Sequence, residues 1–184
     1  MVIGAITILL AVMMALIQKE YTKLLSYHAI SQVGYMILGI GTAVSAGIVG
    51  GLFHMINHAM YKSCLFLTSG SVAKQAGTTN LEKLGGLGRK MPWTFVCFIV
   101  TAASISGVPP FNGFFSKELV YDGALERGLI FYIAAVAGSF FTAASFLKLG
   151  HAVFLGKLNP EHKNIKEARI SMLAPMLVIA FMCI

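Results

Sequence analysis

Residues 91–116 read MPWTFVCFIVTAASISGVPPFNGFFS, a stretch without a single charged side chain. An unbroken helix of that length, rising ~1.5 Å per residue, would overrun the ~30 Å hydrocarbon core of a bilayer. The run cannot stay unbroken, because Gly107, Pro109, Pro110 and Gly113 fall together within it. Consecutive prolines remove two amide donors and clash with the preceding turn, so the stretch reads as two half-helices around a break. Facing lipid, the freed carbonyls would be expensive; such breaks persist where they pack in protein or line a watery cavity. The break therefore points to function as well as to fold.

The sequence on either side has the same character. Residues 2–17 and 33–53 also lack charge. The 184-residue chain is 57% hydrophobic and only 11% charged, more apolar surface than a soluble domain of this size can cover. Hydrophobic segments lie at about 1–18, 24–44, 47–73, 92–126, 128–155 and 170–184. They predict an all-α, polytopic transmembrane helix bundle of about six membrane segments, one of them broken. Residues 1–184 form one transmembrane domain on this reading. The last run stops at Ile184 without a polar flank, and the first is short, so a fragment of a longer subunit is expected.

The net charge of +7 has a membrane explanation. The connection at 18–23 carries Lys19 and Lys23; that at 74–91 carries Lys74, Lys83, Arg89 and Lys90; that at 156–169 carries Lys157, Lys163, Lys166 and Arg169. With the broken segment counted as one crossing, all three fall on one side, and only Arg127 falls on the other. Positive residues concentrate on the cytoplasmic side of membrane proteins, so these connections are expected there. Nucleic acid is not needed to explain the basic balance. Cys64, Cys97 and Cys183 are isolated in apolar segments and form no metal or iron–sulfur spacing; they read as reduced core residues.

Chemistry concentrates in HMINHAMYK, residues 54–62. His54, His58 and Lys62 recur every four residues, which turns each side chain by only about 40° and puts all three on one helix stripe. Asn57 and Tyr61 border it, and Gly47 and Gly51 upstream allow close helix packing. A lysine at a helix centre costs roughly 2.5–3.5 kcal/mol on insertion scales. Keeping it there favours a partner or a water-filled cavity. A hydrogen-bonded polar seam and a metal site are two readings, but the metal site lacks an acidic or Cys ligand nearby and includes cationic Lys62. The preferred reading is a proton relay, since histidine and buried lysine both exchange protons near neutral pH.

Lys117 and Glu118 follow the break by about one turn. Either they mark the membrane boundary, with Lys117 reaching outward, or they line a cavity made by the broken helix. In YHAISQVGY, residues 27–35, His28, Ser31 and Gln32 share a face that could hold water or bond a neighbouring helix. Lys148 and His151 are weaker candidates, with Lys148 expected to reach toward the basic side.

Four stretches together resemble the membrane-arm antiporter-like subunits of respiratory complex I: KLLSYHAISQVGYM at 23–36, HMINHAMYKSCLFLTSGSV at 54–72, LGGLGRKMP at 84–92 and SGVPPFNGFFSKE at 106–118. The same family includes the large subunits of multisubunit cation/proton antiporters and of energy-converting membrane-bound hydrogenases. The PPFNGFFSK wording leans toward the latter two. The resemblance implies roughly helices nine to fourteen of a fourteen-helix core. It implies that Lys62 is the central proton-relay residue, with His54 and His58 beside it, and that Lys117 is the terminal lysine near the exit. The family's other half-channel uses a glutamate–lysine pair in earlier helices, and this chain has no corresponding region.

The expectation is a subunit moving H⁺ or Na⁺ in a redox-driven complex; a secondary Na⁺/H⁺ antiporter without redox chemistry is the alternative. No flavin, quinone, haem or iron–sulfur motif is visible, so no cofactor is expected in this chain. Whether it belongs to an enzyme depends on its partners. Those expected are other membrane-arm subunits and a soluble iron–sulfur arm, in a bacterial or archaeal cytoplasmic membrane.

Overall fold

The structure is a computed structural model describing all 184 residues. Seven α-helices follow in chain order: α1 Val2–Leu16, α2 Tyr21–Gly41, α3 Ser45–Ala76, α4 Pro92–Ser106, α5 Asn112–Arg127, α6 Leu129–Gly150 and α7 Ile170–Phe181. The fourth hydrophobic segment is thus two helices, as its prolines require. Pro92 opens α4 at a position where its missing N–H is harmless, and Gly107 closes it in the left-handed region at φ +78°. A π turn at His151–Leu155 extends α6. α3 continues to Ala76, three residues beyond the apolar run, because Gly77 supplies the left-handed C-cap there.

α3 is central and packs on α2, α4, α5 and α7, while α1 lies against α2 and α6. Lipid is as apolar as leucine, so helices in a bilayer gain little by hiding leucines from it; close van der Waals packing must hold them. Glycines provide it. A Cβ on Gly123 of α5 would lie 2.6 Å from Gly47 Cα, and one on Gly4 of α1 would lie 2.6 Å from Leu38 N on α2.

Apolar and polar side chains are distributed in reverse of a soluble protein. Ile130, Leu147 and Phe181 are each at least 74% exposed, whereas His28, Gln32, His54, Lys62 and Lys117 are buried. The outer surface has the chemistry of a lipid contact. By length and apolarity together, one helix, Leu129–Leu155, is sufficient for a crossing; Val2–Leu16, Pro92–Ser106 and Ile170–Phe181 are apolar but shorter.

The three basic connections meet at one end. Tyr21 N–H donates to Thr79 O at 2.9 Å, Leu81 N–H to Lys19 O at 2.9 Å, and Asn159 Nδ2 to Lys83 O at 2.8 Å. Lys19 and Glu82 form a 2.7 Å ion pair whose hydrogen bond holds the Glu82 carboxyl below its usual range. Both groups are solvated, so the pair adds little stability. Glu167 does more, because its carboxylate takes the otherwise orphaned Trp93 N–H of α4 at 2.8 Å and the Thr94 hydroxyl at 2.6 Å. At the opposite end Arg127 Nε donates to Thr42 O at 2.6 Å.

Replacing Gly123 by Leu should separate α5 from α3 and destabilise the fold by about 1–3 kcal/mol. A lowered midpoint of thermal unfolding in detergent, against a lipid-facing Leu125→Ala control, checks this.

Candidate functional site: a buried file of lysine, histidine, tyrosine and serine

The site forms where α3 faces α2 and α5 and continues to where α5 meets α6. Asn57 Nδ2 donates to Asn112 O at 2.9 Å and ties α3 to the start of α5. That places His54 beside Ser116, with Nδ1 2.9 Å from the hydroxyl oxygen. Its Nε2 lies 3.1 Å from Gln32 Oε1 on α2 and 3.3 Å from Tyr61 OH. The Ser116 hydroxyl in turn donates to Gly113 O at 3.1 Å. With both ring nitrogens protonated, Nδ1–H donates to Ser116, Ser116 to Gly113 O and Nε2–H to Gln32, which leaves the longer Tyr61 contact the lesser share of that one proton. Neutral His54 needs only the Ser116 hydroxyl to turn toward Nδ1. The ring can therefore gain or lose a proton without moving.

Lys117 sits beyond it on α5, only 1% exposed. Its ammonium donates to Ile105 O at 2.7 Å and to Ser139 Oγ on α6 at 2.8 Å, and lies 4.9 Å from the centre of the Tyr35 ring. The break supplies the first acceptor. In a continuing helix Ile105 O would accept from the residue four along, which is Pro109 and has no N–H. Gly107 leaves room for the lysine stem, since a Cβ there would approach Lys117 Cδ to 3.0 Å. Ser139 is a node: Tyr121 OH lies 2.5 Å from its hydroxyl and Tyr35 OH 3.3 Å away. The Tyr35 and His54 rings are 5.6 Å apart and join the two halves.

Lys62 lies at the other end of the stripe, 6% exposed, with Nζ 5.7 Å from the Phe66 ring centre. Its ammonium has no hydrogen-bond partner in the protein, and neither has the buried His58 Nε2. The His58 ring meets the Tyr61 ring edge-on at 5.6 Å, and Tyr61 reaches His54. Polar groups thus follow one another from Lys62 and His58 through Tyr61 and His54 to Ser116, Tyr35, Lys117, Ser139 and Tyr121.

Other sequence candidates lie around this file. Gln32 belongs to it. His28 bonds Ser145 of α6 through Nε2 at 2.8 Å, while its buried Nδ1 has no partner. Ser31 donates to Ile8 O at 3.0 Å and staples α2 to α1. Lys148 is exposed and caps the end of α1, donating to Leu16 O at 2.7 Å and Gln18 O at 3.3 Å. Glu118, the next residue along α5, is exposed and makes no ion pair with Lys117. Of the two readings left open for that neighbouring pair, burial against the break describes Lys117 and the outward position describes Glu118.

Sequence reasoning passed over Ser116, Tyr35, Tyr121 and Ser139. Tyr35 had a signal, standing three residues after Gln32 on the same face of α2. Ser139, in an apolar run of α6, had none.

The family model described as "NADH:quinone oxidoreductase/Mrp antiporter, TM" matches residues 1–142, and the chain belongs to that family. It is 35% identical over 173 residues to a Na⁺/H⁺ antiporter protein of Alkalihalophilus pseudofirmus, a match covering 92% of this chain and 35% of that protein. Its fold superposes with a TM-score of 0.93 and 31% identity on a chain of an archaeal membrane-bound sulfane sulfur reductase, covering 98% of this chain and 30% of the other. A chain of the Mrp complex from Dietzia sp. gives a TM-score of 0.92 at 25% identity, with 99% and 42% covered. The chain spans between 26% and 38% of the length of the first curated relatives it matches. Membership places it among integral membrane subunits.

Gly107→Ala should destabilise the break by more than about 1 kcal/mol, because alanine is strained at positive φ and crowds the lysine stem. Thermal unfolding of this variant beside Ala103→Gly, on the same helix end but at ordinary φ, separates that effect from general loosening.

Proposed function

We propose that the chain provides one ion-conducting half of a membrane subunit that moves protons, or Na⁺, in a redox-driven ion-pumping complex. The observation that carries this reading is the run of polar side chains that lies between two buried lysines, Lys62 and Lys117. In it the proton loaded on Lys62 has no fixed anion to hold it. It passes by way of His58 and Tyr61 to His54, whose bonds to Ser116 and Gln32 suit both ring states. Lys117 receives it near the break, and the Ser139 and Tyr121 hydroxyls lead it away. A charge change in a neighbouring subunit drives the transfer by altering how well Lys62 tolerates its own charge. His28, with Ser145, forms a side branch toward the end of α6 that carries Lys148. Glu118 stays outside the file and faces lipid or a partner.

On this reading the chain crosses the membrane about six times, α4 and α5 together making one crossing. It corresponds to roughly helices nine to fourteen of a fourteen-helix subunit. The basic connections face the cytoplasm of a bacterial or archaeal cell. Other membrane-arm subunits surround it, and a soluble iron–sulfur arm supplies the electrons. A second reading, a Na⁺/H⁺ antiporter without redox chemistry, is favoured by the 35% identity to the Alkalihalophilus antiporter protein. The two use the same residues in this chain and differ only in partners. Mass spectrometry of the purified assembly separates them: iron–sulfur subunits support the first, membrane subunits alone the second.

Lys62→Ala in the reconstituted assembly should reduce ion transport to background while the complex still assembles. A normal ion-to-electron ratio in that variant would remove the relay. Ser139→Ala should slow transport by about tenfold, the order expected of one lost hydrogen bond, with partial rescue by Ser139→Thr.

A further inference from the structure

Away from the file, α4 and α6 border an apolar groove of about 300 Å³. Phe95, Ile99 and Ala103 form one wall, and Leu147 and Leu155 the other. At its basic end the groove opens into a second pocket of about 460 Å³, rimmed by Arg89 and Lys157; Phe95 and Leu155 line both spaces. Gly85 and Gly86, both at positive φ, make this pocket possible by letting the 156–158 segment lie directly on the 84–90 loop.

The dimensions and the charge agree on an occupant. From Phe95 to Ser106 the groove follows α4 for eleven helical steps, about 17 Å at the helical rise, close to the depth of one leaflet of a ~30 Å core. The charged pocket sits at the end where a headgroup would lie. Both cations there are exposed and unpaired, since the ion pairs of this chain are Lys19–Glu82 and Lys23–Glu20. An apolar slot of leaflet depth below two unneutralised cations is complementary to an acyl chain carrying a phosphate.

We propose that this composite site binds one anionic phospholipid, its phosphate between Arg89 and Lys157 and an acyl chain between α4 and α6. The bound lipid fills the gap between the two helices and neutralises the rim. Basic pockets between membrane helices at the charged face recognise anionic headgroups, and each nearby cation contributes to the preference. The site is independent of the conduction file and stands whether or not ions move through it.

The test uses the native assembly containing this chain, reconstituted in nanodiscs of equal phosphatidylglycerol and phosphatidylcholine, then extracted into detergent for native mass spectrometry. The wild type should keep phosphatidylglycerol over phosphatidylcholine by roughly tenfold or more, the preference two cations supply. R89Q/K157Q, altered only at exposed positions, should bind both lipids equally. Ala103→Trp, which fills the groove, should lose the retained phosphatidylglycerol. Equal retention of the two lipids by the wild type would overturn the proposal, as would an unchanged preference in R89Q/K157Q. So would Ala103→Trp binding inorganic phosphate and phosphatidylglycerol as the wild type does, which would make the pocket a free anion site.

Discussion

The bond between the Lys117 ammonium and the Ile105 carbonyl is the constraint around which the rest is arranged. Two difficult groups satisfy each other in it. A carbonyl that Pro109 leaves without a donor would be costly inside a membrane, and so would an ammonium. Bringing them together requires α4 to end at Gly107 in a left-handed turn and α5 to restart within reach. It also requires the lysine stem to pass over a residue that has no Cβ. The break is therefore a binding element for the lysine, built from residues that elsewhere would only interrupt a helix.

The remaining polar groups follow from that placement. Ser116 precedes Lys117 on α5 and so reaches His54; Ser139 on α6 meets Lys117 from the other side. Several polar side chains inside the bundle are held by another element: Gln32 and Tyr61 meet His54, Asn57 reaches α5 and His28 reaches α6. Because lipid offers no partner, hydrogen bonds that would be optional on a soluble surface become the cross-links of the bundle. The glycine contacts between α3 and α5 and between α1 and α2 let the helices approach closely enough to make them.

Lys62 differs from Lys117 in kind. Both are buried lysines, yet one has two oxygen acceptors and the other has only an aromatic ring at a distance. The two ends of the file thus hold their lysines unequally, one without a hydrogen-bond partner and one with two. The family to which the chain belongs contains both antiporter and redox-complex relatives.

Composition, charge-free runs and the Gly-Val-Pro-Pro break by themselves determined an all-helical membrane chain with a broken helix, since apolar length and missing amide donors are local properties. The four-residue spacing likewise determined the His54–His58–Lys62 stripe, because helix periodicity is local. Which side chains meet across helices was decided only by the tertiary structure. Lys117 and Glu118 are neighbours in sequence, yet successive helical positions point about 100° apart, and packing buried one and exposed the other. Ser139 is an ordinary serine in an apolar run until α6 is laid against α5. Lys148, alike in sequence to the other intramembrane lysines, became a cap for α1 because the end of that helix lies within its reach.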